Sequence, residues 1–161
     1  MAQLYADYAR FVAWFASRLL TRPDEVEDIV QEVFLIAARQ LDSLTDPAQT
    51  RGWLKTVTLR RAARLLRWKK VRARFGLAKG FEANEQWIAS PDASPEDRAA
   101  LSELLASLDE LPTDQRLAWT LRHLHGEPLE GVAALLGCSL ATTKRRIAAA
   151  EAHLQQELRD D

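Results

Sequence analysis

Residues Leu129 to Leu154, LEGVAALLGCSLATTKRRIAAAEAHL, decide how this chain is read. Leu129, Val132, Ala133 and Leu136 recur at i, i+3, i+4 and i+7, the buried stripe of a short helix. Gly137 follows where a helix end needs a residue that tolerates positive φ. Ser139 then offers a hydroxyl to the free amides of a second helix. That helix carries Thr142, Thr143, Lys144, Arg145 and Arg146 in its opening turns and directs Ile147 and Leu154 inward. A small turn between two helices, with hydroxyl and basic residues opening the second, predicts a helix-turn-helix. Early residues of such a second helix enter the DNA major groove, where Lys and Arg reach phosphates and guanine edges. The plainer alternative is a helical hairpin whose KRR is a solvated face.

Working outward, 161 residues suit one domain or two small ones. The single cysteine, Cys138, excludes an internal disulfide framework and suits a reducing compartment. No apolar run reaches the length of a membrane span, and MAQLYADYAR lacks a signal-peptide layout, so a cytoplasmic protein without membrane insertion is expected. The net charge of −1 hides an asymmetry. Arg51 to Lys79 holds eleven basic residues and no acid, whereas Gly80 to Gln115 holds nine acids and one base, Arg98. A block of like charge beside its opposite points to a polyanionic partner for the first.

From the N-terminus, Leu4, Tyr8, Phe11, Val12, Phe15 and Leu19 line one side of a helix. Pro23, Asp24 and Glu25 open a second, since a proline and carboxylates suit the first turn. It buries Val26, Ile29, Val30, Val33, Ile36 and Ala37. Its other stripe is Asp28, Gln31, Glu32, Leu35 and Arg39, either plain surface or a docking face. Asp46 and Pro47 start a third helix reaching about Arg74, with Leu54, Val57, Ala62 and Leu65 toward a core. Arg60, Arg64 and Arg67 lie at i, i+4 and i+7 on another side, widened by Arg61, Trp68 and Arg72. Cations with no acid among them repel one another, and a phosphate backbone relieves that repulsion. Trp53 reads as core, and Trp68 can stack on an unpaired base.

Residues 76–94 lack sustained periodicity and read as a flexible acidic linker, with one turn around Trp87. Ser94-Pro95-Glu96-Asp97 starts a further helix burying Leu101, Leu104, Leu105 and Leu108. Leu111-Pro112-Thr113 restarts the chain into a helix carrying Leu117 and Leu121. The expectation is an all-α protein of two small helical domains, 1–75 and 95–161, joined by the 76–94 linker, with the helix-turn-helix in the second. No enzyme constellation stands out. His123, His125, Glu127 and Cys138 match no zinc spacing, and two histidines two apart on a helix end diverge. No catalytic residue, metal or cofactor is expected.

At this point the motifs resemble the extracytoplasmic-function sigma factors of bacterial RNA polymerase over nearly the whole chain. EVEDIVQEVFLIAARQL (Glu25 to Leu41) looks like the family's polymerase-docking helix. RGWLKTVTLRRAARLLRWKK (Arg51 to Lys70) is similar to its −10 promoter helix. Leu111 to Leu154 looks like its −35-binding domain. The resemblance implies that Asp28, Gln31, Glu32 and Leu35 face the RNA polymerase core. It implies that Arg60, Arg61, Arg64 and Arg67 lie along the melting −10 DNA, and that residues 44–50 capture a flipped base. Ser139, Thr142, Lys144, Arg145 and Arg146 would meet the −35 duplex. An anti-sigma factor is expected from the resemblance only. Thr143 departs from the family, standing where an aliphatic residue usually packs inward. The competing expectation is a stand-alone helix-turn-helix DNA-binding regulator whose N-terminal bundle dimerises. A small metal-dependent hydrolase built on His123, His125 and Glu127 is a weaker third.

Overall fold

The computed structural model describes residues 2–40, 46–77 and 92–160. Within them are seven helices and no strand. Helix α1 (Ala2–Leu19) turns Val12, Phe15 and Leu19 fully inward, as its periodicity predicts. Helix α2 (Pro23–Arg39) starts at its proline, and the Arg22 guanidinium donates to both carboxylate oxygens of Asp24, at 3.1 and 3.0 Å. Helix α3 (Pro47–Arg74) starts where Asp46 accepts from the Ala48 amide at 3.0 Å. It buries Leu54, Val57, Ala62 and Leu66, while the expected Leu65 is only half-buried. A helix of 28 residues is about 42 Å long, so α3 outruns the α1–α2 pair and presents its second half to the rest of the chain.

Helix α4 (Pro95–Glu110) begins with a reciprocal capping box, Ser94 and Asp97 each accepting from the other's backbone amide. Helices α5 (Thr113–His123), α6 (Leu129–Leu136) and α7 (Leu140–Asp160) form the helix-turn-helix region. Its local chemistry is as read from the sequence. Gly137 takes φ +63°, and Ser139 Oγ accepts from the Thr142 amide at 3.1 Å. Ile147 and Leu154 are buried. Thr143 is fully buried, and its hydroxyl donates to the Ser139 carbonyl at 3.1 Å, so the departure leaves no orphan polar group.

The packing adds a feature that periodicity does not contain. Leu117, Ala118 and Leu121 of α5, Val132 of α6 and Ile147 of α7 belong to the same apolar cluster as α1, α2 and α3. A second, smaller cluster joins Leu105, Leu108 and Leu111 to Ala150 and Leu154. The two helical regions therefore share a continuous core through α5. The turn expected around Trp87, most of the 76–94 linker, and Leu44 and Thr45 of the loop expected to capture a base lie outside the described residues. Residues 46–50 form the cap and first turn of α3.

Candidate nucleic-acid interface

Three exposed faces emerge from these helices. On α3, Arg60, Arg64, Arg67 and Arg74 are exposed on one side. Arg60 and Arg64 make no ion pair among the described residues, so their charge is left to solvent or to a partner. Arg61 differs, being half-buried and 3.7 Å from Glu32 of α2. Arg67 donates to Asp114 at 2.9 Å. Lys69 pairs with Glu25 at 2.8 Å, and Lys70 donates to the Asp109 carbonyl. Burial lowers the Lys70 pKa, against the opposing pull of Asp109. The Arg72 guanidinium covers one face of exposed Trp68, 4.5 Å from the ring centre.

On α7, Lys144 and Arg145 are exposed and make no ion pair among the described residues. Arg146 is half-buried and donates to Asp114 at 2.8 Å. Thr142 is half-buried beside exposed Ser139, whose hydroxyl donates to Thr142 Oγ1 at 3.0 Å. Gly137 holds the turn that aims this helix start outward, because an L residue would be strained at its φ.

On α2, Asp28, Gln31, Glu32 and Leu35 are all exposed along one stripe. Leu35 is 63% exposed amid polar neighbours, an apolar knob unused by the core.

The histidines and the cysteine do not converge. His123 sits 3.1 Å from Glu151 and lies against Trp119. His125 packs on Phe15, ring centres 4.3 Å apart, and on the edge of Trp14. Cys138 Sγ meets the Thr143 hydroxyl. Burial, followed by the nearby charges of Arg18 and Lys55, lowers His125 to about 4. A different trio, Glu110, His153 and Glu157, brings its ligand atoms within 4.8 Å of one another, with both carboxylates exposed.

Two features of this surface carried no signal in the sequence. Asp114, in the first turn of α5, bonds arginines of both cationic helices. Arg116 is buried, donating to Asp109 at 2.6 Å and to the Leu19 carbonyl at 3.1 Å.

Residues 4–72, holding the exposed α2 stripe and Arg60, Arg61, Arg64 and Arg67 of α3, match the model of sigma-70 region 2. Residues 101–154, holding the helix-turn-helix, match that of sigma-70 region 4. The chain belongs to the sigma-70 family, in its extracytoplasmic-function group. This sigma factor is 32% identical over 151 residues to the ECF RNA polymerase sigma-E factor of Escherichia coli K12, covering 89% of the chain and 78% of that protein. It is 35% identical over 140 residues to the probable RNA polymerase sigma factor RfaY of Xanthomonas campestris, covering 82% of the chain but only 34% of that longer protein. Its fold matches RpoE of Bartonella quintana, solved with the anti-sigma factor NepR, with a TM-score of 0.67 at 25% identity, covering 99% of this chain and 97% of that one. CnrH, solved with the cytosolic domain of CnrY, gives 0.63 at 25% identity, covering 99% and 88%. Among the described residues no helix is long and apolar enough to cross a membrane.

Proposed function

We infer that this chain is an alternative sigma factor that binds RNA polymerase core and directs promoter-specific transcription initiation, with no catalysis of its own. Its place of work is the cytoplasm, where polymerase and promoter are. The observation that carries the assignment of roles is the separation of three exposed faces, none consumed by the core. Asp28, Gln31, Glu32 and Leu35 of α2 dock the polymerase, Leu35 filling an apolar hole while the polar residues fix register. Arg60 and Arg64, with Arg61 and Arg67 at the margins, run along the −10 DNA. Their charges neutralise phosphates as strands part, and Trp68 offers a face for an unpaired base. Ser139, Thr142, Lys144, Arg145 and Arg146 read the −35 duplex from the start of α7. The units are residues 1–75 and 95–161, with 76–94 between them. An anti-sigma factor is the expected inhibitor, by analogy with RpoE of Bartonella quintana, solved with the anti-sigma factor NepR.

The test is in-vitro transcription with added core enzyme. Because Arg61 leans on Glu32 of the docking stripe, the separating variant reverses only Arg60 and Arg64. R60E/R64E is expected to keep polymerase binding and lose open complexes. Leu35→Asp is expected to lose polymerase binding. A stand-alone regulator would bind DNA without polymerase and ignore the Leu35 change. Failure of the wild type to bind core enzyme would overturn the reading.

A further inference from the structure

The later turns of α7 carry a donor set outside the faces assigned to DNA and to the polymerase. His153 and Glu157 stand at i and i+4, one turn apart on the same side of the helix. The smaller core packs Leu105, Leu108 and Leu111 on Ala150 and Leu154, which brings Glu110, the last residue of α4, beside them. One ligand atom from each of Glu110, His153 and Glu157 lies within 4.8 Å of the other two. We propose that these three residues bind one divalent transition-metal ion, Zn²⁺ being the type, and that the ion staples the end of α4 to α7.

The His153 ring points to a ligand. Its Nε2 is enclosed by protein and has no hydrogen-bond partner among the described residues. Glu110 Oε2 stands 3.7 Å away, beyond hydrogen-bond reach. An enclosed nitrogen left without a partner costs stability, which a metal bond would recover. Charge argues the same way. Helix α4 ends in Asp109 and Glu110 with no basic residue in its last turn, at the negative end of its dipole. Arg116 donates to the Asp109 carboxylate at 2.6 Å, and Lys70, which feels Glu110, is committed to the Asp109 carbonyl. Glu110 and Glu157 have no such donor among the described residues. One imidazole with two carboxylates suits a borderline ion such as Zn²⁺, because Mg²⁺ and Ca²⁺ take oxygen ligands.

Ligands on a tetrahedral Zn²⁺, with bonds of about 2.1 Å, stand about 3.4 Å apart. Both glutamates are exposed, so closing the remaining distance asks for a change of rotamer and not of fold. Three protein ligands leave one position to water on the solvent side. His153 lies eight residues beyond Arg145, about 12 Å along the helix at about 1.5 Å per residue. An ion held there leaves the opening turns of α7 clear. What it fixes is α4 against α7, the pair joined by the smaller of the two cores. The site therefore stands or falls apart from the promoter assignment.

The experiment titrates the full chain, untagged and freed of metal with a chelator, in a C138S background so that no thiol competes. Calorimetry with ZnCl₂ is expected to show one saturable site per chain, and MgCl₂ none. His153→Gln should abolish zinc binding. Glu110→Gln and Glu157→Gln should each weaken it by about tenfold or more, at least the loss that follows removal of an outer-shell partner. His123→Gln, which removes the other histidine paired with a carboxylate near α7, should leave it unchanged. Zinc at about ten times its Kd should raise the Tm of the parent by about 3 to 6 °C and leave that of His153→Gln where it was. The two glutamates are exposed, so their variants keep the fold and test the site even where His153→Gln does not. Absence of saturable zinc binding would overturn the site, as would binding that survives both glutamate changes together or that falls in His123→Gln. Binding at the trio with no rise in Tm would overturn the staple.

Discussion

The two cationic helices present charge in opposite ways. Helix α3 is long and carries its arginines along an extended face, with Arg60 and Arg64 in no ion pair among the described residues and Arg61, Arg67, Lys69 and Lys70 held by groups on other helices. Helix α7 concentrates its cations in one turn behind a serine cap and a positive-φ glycine, and of Lys144, Arg145 and Arg146 it is Arg146 that pairs with another helix among the described residues. The first surface is shaped by long-range packing, the second by signals within a few residues. A helix that follows separating strands needs length and diffuse charge, whereas a helix that enters a groove needs a rigid, aimed start.

Removing the shared core should have the largest effect. Leu117→Ala leaves a cavity where α5 meets the N-terminal helices and should cost about 3 kcal/mol. Chemical denaturation followed by tryptophan fluorescence and by circular dichroism should give one coincident, shifted transition. Two separated transitions would show that the regions fold independently and would sharpen the contrast between them.

Acid should loosen the same seam. His125 titrates near 4 when folded, below its usual 6.5, because burial and then Arg18 and Lys55 disfavour its cation. The unfolded chain thus binds the proton more readily between those values. The contribution is complete above pH 6.5 and is lost as pH falls toward 4, on the order of 2 kcal/mol. Thermal melts across that range should fall more steeply for wild type than for His125→Phe. Parallel curves would remove His125 from the account.

A smaller effect is expected from the local cap. Ser139→Ala removes the acceptor for the Thr142 amide and should cost about 1 kcal/mol. Hydrogen exchange should quicken in the first turn of α7 and leave α3 unchanged. Spread of that effect into α3 would break the division between local and long-range control.

The smallest change compares single charges. Arg60→Gln and Lys144→Gln should each lower the salt dependence of promoter binding by about one phosphate contact. Titrations of the polymerase complex against salt would measure it. A fall at one position only would assign the electrostatic grip to one helix.

Much of this molecule was legible from residue order. The prolines at 23, 47 and 95, the Asp46 and Ser94 caps, Gly137 and Ser139 place helix ends, because caps act within a turn. The periodic stripes of α1 and α2 are buried nearly as read. In α3 the reading was poorer: Leu66 is buried and Leu65 only half so. That helix is packed from more than one side, so a single apolar stripe does not describe it. The polar stripe of α2 and the basic face of α3 were visible as patterns, but which cations are unpaired among the described residues was not.

Short-range chemistry therefore settled the seven described helices, their caps and the placing of acids and bases along them. Tertiary packing settled the partnerships. Asp114 reaches Arg67 across 47 positions and Arg146 across 32, and Lys55 meets Glu127 across 72. Helical periodicity extends over one helix and knows nothing of its neighbours. An ion pair depends on a few ångströms between side chains that only the assembled core brings together.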